Sequence, residues 1–436
     1  MPPKVRAEKV YEDYLESLAS NHKFRIGFLL GAENVGGFQG IIIHMAPMSI
    51  SETEEHNPQS ILSVDSDEIV LEAVNLTRML PGGFSILGLF IVYPDNPLEN
   101  DKQKKKLLDM VKKVQEQFRM NPFLMASLSE EKDFLVLVYS SGRENPCVCQ
   151  QIHTGKPVDV VFESQKLKWY DVETYYNVCN EYALEKIGDS CNIEGNMQKI
   201  LGKFKQKLEQ SEAFVHDNPI KDQQTVELLF KDPKSTELQV QLNPLQFFES
   251  EESQFEDTAE EICDGTLRLS GSMCSRVFVP KGTKLTEVAK NAKKDILRSL
   301  AARFQLYCDT LQGDQVAPDT LIDLHSDTPR RVFFTVQPTA VQFCDYLFAG
   351  ENDDTVRENV SKSMDINLEP TDIFLLAEAA PEAQDAENLQ DEEKKSSPTQ
   401  DTVDRPEIYL KILAGVSLLV ALVAAFMALQ QDQEKE

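Results

Sequence analysis

The spacing of apolar residues near the N-terminus predicts a helix followed by a β-hairpin. Val10, Tyr14 and Leu18 recur every fourth residue, which places their side chains on one face of a helix. The apolar runs 24–30 and 40–45 then flank a glycine-containing segment of the kind that turns a hairpin. The chain therefore begins with mixed α and β structure.

A helix, a tight turn and a buried strand are predicted next. Residues 68–80 have a helical pattern, and residues 84–93 form a near-continuous apolar run that is typical of a central strand. Pro81, Gly82 and Gly83 lie between them. Proline restricts its own φ and glycine permits a positive φ, so we predict that this tripeptide is a structural turn that sets the angle between helix and strand.

The remainder of the first 170 residues completes an α/β domain. Residues 101–118 show an apolar stripe opposite a lysine-rich face, which predicts an amphipathic helix. Three further strands are predicted over 133–139, 147–152 and 158–162. The pattern predicts an N-terminal domain over residues 1–170.

Residues 171–350 are predicted to form a second, α+β domain with one long helix. Thr283 is a suitable N-cap residue, and apolar residues at helical spacing follow it as far as Tyr307. The strands predicted around this helix are 236–242, 267–269, 276–279 and 332–336.

The C-terminal part of the chain has two segments of contrasting composition. Residues 351–407 contain 17 acidic and 5 basic side chains, which predicts a disordered acidic linker. Residues 412–429 contain no charged side chain and are long enough, at about 27 Å as a helix, to cross a thin bilayer. We predict a transmembrane tail anchor over 408–430. Its apolar residues include Ile412, Leu413, Leu418, Leu419, Val420, Leu422, Val423, Phe426 and Leu429.

The net charge and the distribution of cysteines limit the functions and the cellular compartment that we expect for this chain. The net charge of −28 opposes binding to nucleic acid. The eight cysteines are spread along the chain, as expected for reduced thiols in a cytosolic compartment. The N-terminus has no apolar signal segment. We therefore expect a protein of the endoplasmic reticulum membrane, the compartment with the thinner bilayer, whose bulk faces the cytosol.

The predicted order of elements in the first domain resembles the MPN (JAB/MPN) fold. In catalytic members of that fold the central strand reads Gly-Trp-x-His-Ser/Thr-His-Pro, and two histidines and a later aspartate bind zinc. Here that strand runs from Gly88 to Pro94, with Ile91 and Tyr93 at the two histidine positions. Lys104 stands where the aspartate is expected. The resemblance implies an inactive, metal-free MPN-like domain.

Several short segments of the chain resemble the odorant-response-abnormal-four family. In chain order they are FRIGFLLG at 24–31, RMLPGGFSILG at 78–88, GSMCSR at 271–276, KKDIL at 293–297, RVFF at 331–334, CDY at 344–346 and the terminal apolar run. The resemblance implies a non-enzymatic, tail-anchored adaptor without a cofactor. It implies a role in the maturation of seven-transmembrane odorant receptors and their trafficking to cilia. It also implies recruitment of the protease specific for the ubiquitin-fold modifier.

Two enzymatic alternatives remain open from the residues alone. One is a zinc isopeptidase of the MPN type, which bound zinc would reveal. The other is a cysteine hydrolase using a residue such as Cys263 or Cys274, which alkylation would inactivate.

Overall fold

The computed structural model describes most of the chain between residues 2 and 378. The described ranges are 2–20, 23–48, 58–125, 133–141, 144–185, 192–215, 218–229, 246–248, 262–313, 328–337, 339 and 341–378. All of them belong to one compact unit, Met1–Pro381. The strand predicted over 236–242 and the anchor predicted over 408–430 lie outside these ranges. Within the described ranges, no helix combines the length and the apolar character that a membrane span requires.

Seven strands in the first part of the chain close into a barrel with the order β1-β3-β2-β4-β5-β6-β7. Strand β7 completes the barrel by pairing in parallel with β1. The hairpin predicted from the two N-terminal apolar runs is confirmed as the antiparallel pair β2–β3. The strands are β1 (Lys4–Glu8), β2 (Arg25–Val35), β3 (Phe38–Pro47), β4 (Ser85–Val92), β5 (Leu135–Tyr139), β6 (Cys147–Gln151) and β7 (Pro157–Glu163).

Four helices accompany the barrel strands, and the two longest begin at side-chain caps. The side chain of Asp65 accepts a hydrogen bond from the N–H of Asp67, and that of Asn100 accepts from the N–H groups of Lys102 and Gln103. These caps satisfy N–H groups that have no partner within the helix. The helices are α1 (Lys9–Ser20), α2 (Ser66–Met79), α3 (Asp101–Met120) and α4 (Pro122–Met125).

Apolar side chains pack on both faces of the barrel sheet. Helix α1 buries Tyr11 and Leu15 in one cluster with Leu29 and Phe90 from the strands. The buried faces of α2 and α3 belong to a second, larger cluster that also includes Phe278, far along the chain. The core of the N-terminal strands therefore continues into the second half of the chain.

A long two-stranded ribbon dominates the second half. Strand β8 (Trp169–Glu185) pairs antiparallel with β12 (Ile262–Pro280) over most of their length. The two short strands predicted over 267–269 and 276–279 are thus parts of one strand, and β8 was not predicted. The boundary predicted between residues 170 and 171 falls inside β8, and the division into two domains stays a prediction.

Two helices and three short strands pack around this ribbon. The predicted long helix is confirmed as α6. Helix α5 was not predicted, although its buried residues Met197, Ile200, Leu201, Phe204 and Leu208 recur at helical spacing. The elements are α5 (Ile193–Gln210), β9 (Glu212–Val215), β10 (Asn218–Pro219), β11 (Gln246–Phe248) and α6 (Leu285–Gly313). Strands β10, β9 and β11 form a small sheet in that order.

The last described part is a three-stranded sheet with one helix. Strand β13 (Arg330–Val336) is central, with β14 (Val341–Leu347) and β15 (Ile373–Phe374) on its two sides. Helix α7 (Asp353–Met364) lies between the last two strands in the chain.

Helix α7 lies within the segment that the composition predicts to be a disordered acidic linker. The prediction is wrong for residues 351–378, because Val356, Val360 and Met364 recur every fourth residue and are buried in the main apolar cluster. The acidic composition of residues 351–407 as a whole concealed this short stripe. The rest of the linker lies outside the described residues.

Candidate functional site

The predicted turn after α2 forms a contact with β12. The N–H of Gly82 donates to the carbonyl oxygen of Arg276 at 2.8 Å, and the N–H of Phe278 donates to the carbonyl oxygen of Gly82 at 3.2 Å. Pro81 and Gly82 are both buried. The turn thus joins the barrel to the long ribbon through its backbone.

Both glycines of the turn have a structural reason to be glycine. A Cβ atom on Gly82 would lie 2.7 Å from Cγ2 of Val277, and one on Gly83 would lie 2.9 Å from the carbonyl oxygen of Phe278. Gly83 also has a φ of +89°, which side chains other than glycine rarely adopt.

Arg298 of α6 completes this contact. Its guanidinium donates to the carbonyl oxygens of Leu80 at 3.1 Å and Phe84 at 3.3 Å, on either side of the turn. Carbonyl groups at the C-terminal end of a helix such as α2 lack partners within the helix, and a cation interacts favourably with them. Burial lowers the pKa of Arg298, which is 6% exposed.

A fully buried ion pair lies beside the turn. Arg331 of β13 donates to both carboxylate oxygens of Asp295 of α6, at 2.7 and 2.9 Å, and neither side chain is exposed. The hydroxyl of Ser275 donates to the same carboxylate at 2.7 Å. Burial is the largest single effect and lowers the pKa of Arg331, but the charges of Asp295, Cys344 and Tyr346 and the hydrogen bonds to Asp295 together raise it well above the usual value.

A second buried ion pair is connected to the first. Arg303 donates to both carboxylate oxygens of Glu378, at 2.7 and 2.6 Å. The same carboxylate accepts from the backbone N–H of Arg331 at 2.8 Å and from that of Cys274 at 2.9 Å. Glu378 thereby holds β12, β13 and α6 together.

Five of the segments that carry the family resemblance meet at or next to this buried network. Asp295 lies in KKDIL, Arg331 begins RVFF and Ser275 lies in GSMCSR. The thiol of Cys344, from CDY, donates to the carbonyl oxygen of Arg78 at 3.3 Å. Sequence reasoning found the segments but not the network. One feature of the sequence that indicates a buried charged group is Asp295, an acidic residue inside the apolar stripe of the long helix.

The three predicted degenerate metal positions lie in different surroundings. Ile91 is fully buried in β4, and Tyr93 is half-buried with its ring 5.6 Å from that of Phe24. Lys104 lies at the end of the first turn of α3 and is half-buried. The structure does not bring three metal-binding side chains of the His, Cys, Asp or Glu type together anywhere in its described ranges. That the would-be zinc site binds no metal stays a prediction.

Most of the described cysteines are poor candidates for a nucleophile. Burial raises the pKa of Cys147 to about 12 and those of Cys308 and Cys344 to about 11, and it raises the pKa values of Cys149 and Cys274 further. The reactive form of cysteine is the thiolate, which a raised pKa disfavours. The side chain of Cys263 and the predicted anchor residues lie outside the described part of the chain.

Comparison with known proteins decides the family. The model of the odorant response abnormal 4-like family matches residues 27–375. The chain belongs to this family. The resemblance noted in the sequence is therefore confirmed over most of the chain.

Members of this family from distant animals match most of the chain. The odr-4 homolog of Drosophila melanogaster is 23% identical over 441 residues, covering 87% of this chain and 88% of that protein. The Homo sapiens homolog is also 23% identical, covering 87% and 86%. The odorant response abnormal protein 4 of Caenorhabditis elegans is 22% identical, covering 81% and 77%.

Solved structures resemble this family member only distantly. A crystal structure of UfSP from C. elegans has a TM-score of 0.46 at 9% identity, covering 84% of this chain and 57% of that chain. A JAB1/MPN domain protein from Archaeoglobus fulgidus has a TM-score of 0.17 at 12% identity, covering 36% and 98%. The mixed α/β class predicted from sequence is confirmed by the strands and helices themselves, and the finer MPN-like assignment stays a prediction.

Proposed function

We propose that this chain is a non-enzymatic adaptor of the endoplasmic reticulum membrane, anchored by residues 408–430 with its bulk facing the cytosol. It assists the maturation of seven-transmembrane odorant receptors and their trafficking to cilia, and it recruits the protease specific for the ubiquitin-fold modifier. The observation that carries the proposal is the family match over residues 27–375.

The local chemistry favours a structural role over a catalytic one for the residues of the would-be zinc site and of the buried network. The two positions where an MPN peptidase would hold zinc through histidine carry Ile91 and Tyr93, which pack in or against the core. The charged groups of the described network, Asp295, Arg331 and Arg303 among them, bond to one another and to backbone atoms. They are at most 9% exposed, so a substrate could not reach them without local unfolding.

The anchor is tested by deletion in cells that carry a ciliary odorant receptor. The full chain should resist extraction from membranes by carbonate, and the chain lacking residues 411–436 should be soluble, because the deleted segment supplies the apolar surface. Receptor delivery to cilia should fall with the deletion. Membrane retention of the truncated chain would contradict the anchor.

A matched replacement separates anchoring from recruitment. Fusing the truncated chain to an unrelated tail anchor of the endoplasmic reticulum should restore membrane association, receptor delivery and capture of the protease. If proximity labelling from both the parent and this fusion fails to mark the protease or the receptor, the adaptor role is wrong even though the anchor is correct.

A further inference from the structure

A groove of about 950 Å³ lies where four parts of the fold meet, and none of the charged residues of the buried network lines it. Its walls come from the end of α3, the end of α5, the strands β9 and β10, and the first half of α6. A groove of this volume is within the range of sites that bind small ligands or short peptide segments.

The floor of the groove is apolar. Phe118 of α3, Leu208 of α5 and Leu297 of α6 line it, and each is less than 5% exposed. Ile220, which follows β10, adds a half-buried apolar side chain at one edge. An occupant therefore needs apolar side chains to cover this surface.

The walls of the groove are basic, in contrast to the chain as a whole. Two acidic side chains, Glu209 and Glu212, line it. Five basic side chains line it: Arg119, Lys205, Lys290, Lys293 and Lys294. In a chain with a net charge of −28, this concentration of cations marks one surface that attracts an anionic partner.

The three lysines of α6 that line the groove differ in the partners that they have within the protein. Lys293 donates to the backbone carbonyl oxygens of Ser211 and Glu209, at the end of α5, and so has a structural role. Lys290 and Lys294 lie one helical turn apart, and like charges at this spacing repel each other. Neither side chain makes a hydrogen bond or ion pair within the described part of the chain.

Lys294 is unfavourably placed for a cation. It is half-buried, and burial, Lys290 and Arg298 lower its pKa in that order of size, while Glu33 and Glu287 act in the opposite direction. A carboxylate bound beside Lys290 and Lys294 would offset this repulsion.

We propose that the groove binds an acidic peptide segment of a partner protein, with carboxylates at Lys290 and Lys294 and apolar side chains on the floor. The site goes beyond the adaptor role proposed above and does not depend on the partners named there. Charge complementarity favours acidic residues, and the apolar floor favours a peptide over a plain anion.

The test uses the full chain purified in detergent and a fluorescent peptide of Glu-Glu-Leu repeats. Fluorescence anisotropy should show saturable binding that weakens with added salt. Matched peptides in which Gln or Lys replaces Glu, or Ser replaces Leu, should bind at least about tenfold more weakly, because each removes one of the two kinds of contact.

Charge reversal locates the site. The double variant Lys290→Glu and Lys294→Glu should lose at least about tenfold in affinity, because two attractions become repulsions. The control variant Lys102→Glu and Lys105→Glu makes the same change in net charge near the start of α3. These residues lie about 20 Å along the helix from the end of α3 that lines the groove, so this variant should bind like the parent. If the reversed variant does not fold, Lys290→Gln with Lys294→Gln should still weaken binding.

Three results would overturn the proposal. The first is absence of saturable binding to the acidic peptide, and the second is equal loss of affinity in the groove and control variants. The third is salt-sensitive binding to phosphatidylserine vesicles that requires Lys290 and Lys294, together with no binding of the acidic peptide. The occupant of the groove would then be an anionic lipid surface. None of these results would contradict the family membership or the anchor.

Discussion

Replacing Asp295 by Asn should destabilise the protein more than any change to a surface charge. Asn is nearly the same size, so the packing around the side chain is kept and only the charge is removed. The carboxylate of Asp295 accepts from two nitrogens of Arg331 and from the hydroxyl of Ser275. Asp295→Asn therefore leaves the guanidinium of Arg331 in the core without its opposite charge.

The expected magnitude follows from complete burial. Asp295 and Arg331 are both 0% exposed, so water cannot solvate the remaining cation. Breaking a buried ion pair from one side costs about 3–5 kcal/mol of unfolding free energy. A folded unit of this size has an unfolding entropy of about 0.8 kcal/mol/K. The thermal midpoint should fall by about 4–6 °C, as measured by calorimetry or near-UV circular dichroism.

Two further variants test the explanation. Glu358→Gln removes an exposed pair with Lys362 on α7 and should leave the thermal midpoint unchanged, because exposed pairs are well solvated. The apolar pair Asp295→Leu with Arg331→Met should lose less stability than Asp295→Asn, because it removes both charges of this ion pair and leaves neither without its partner. A midpoint for Asp295→Asn equal to that of the parent would refute the reasoning, as would an apolar pair that is less stable than the single variant.

Three other outcomes are expected. Gly82→Val should destabilise the protein through a clash with Val277, and Gly83→Val through a strained φ, each by a few kcal/mol in thermal unfolding. Gly202→Ala in α5 is the control and should not destabilise it, because its Cβ would meet nothing nearer than 4.0 Å. Purified protein should contain no stoichiometric zinc by metal analysis, and about one zinc per chain with peptidase activity would contradict the inactive MPN-like assignment. Burial lowers the pKa of His44 in the folded protein to about 4. In the unfolded chain the imidazole has its usual pKa of about 6.5, so it is protonated there before it is protonated in the folded protein as the pH falls. Stability should therefore fall between about pH 6.5 and 4, by up to about 3 kcal/mol relative to a His44→Gln variant, and equal pH profiles in urea unfolding would contradict this.

The elements with strong local patterns were predictable. The apolar run of β4 and the helical stripe of α6 are each visible within one segment. Burial of both faces of a strand gives a continuous apolar run, and burial of one face of a helix gives an apolar period of about 3.6 residues. The same reasoning failed for β8, whose long pairing with β12 joins residues about a hundred positions apart. It also failed for α7, where acidic residues outweighed the stripe of three apolar side chains.

By itself, the sequence determined the elements with a strong local pattern, the family and the presence of a structural turn at residues 81–83. It did not show that this turn packs on Arg276 and Val277, or that Asp295 meets Arg331. The groove with Lys290 and Lys294 was equally hidden, since its walls come from four separate parts of the chain. Only the tertiary structure decided these contacts, because a buried charge or a shared groove depends on which distant surfaces exclude water together.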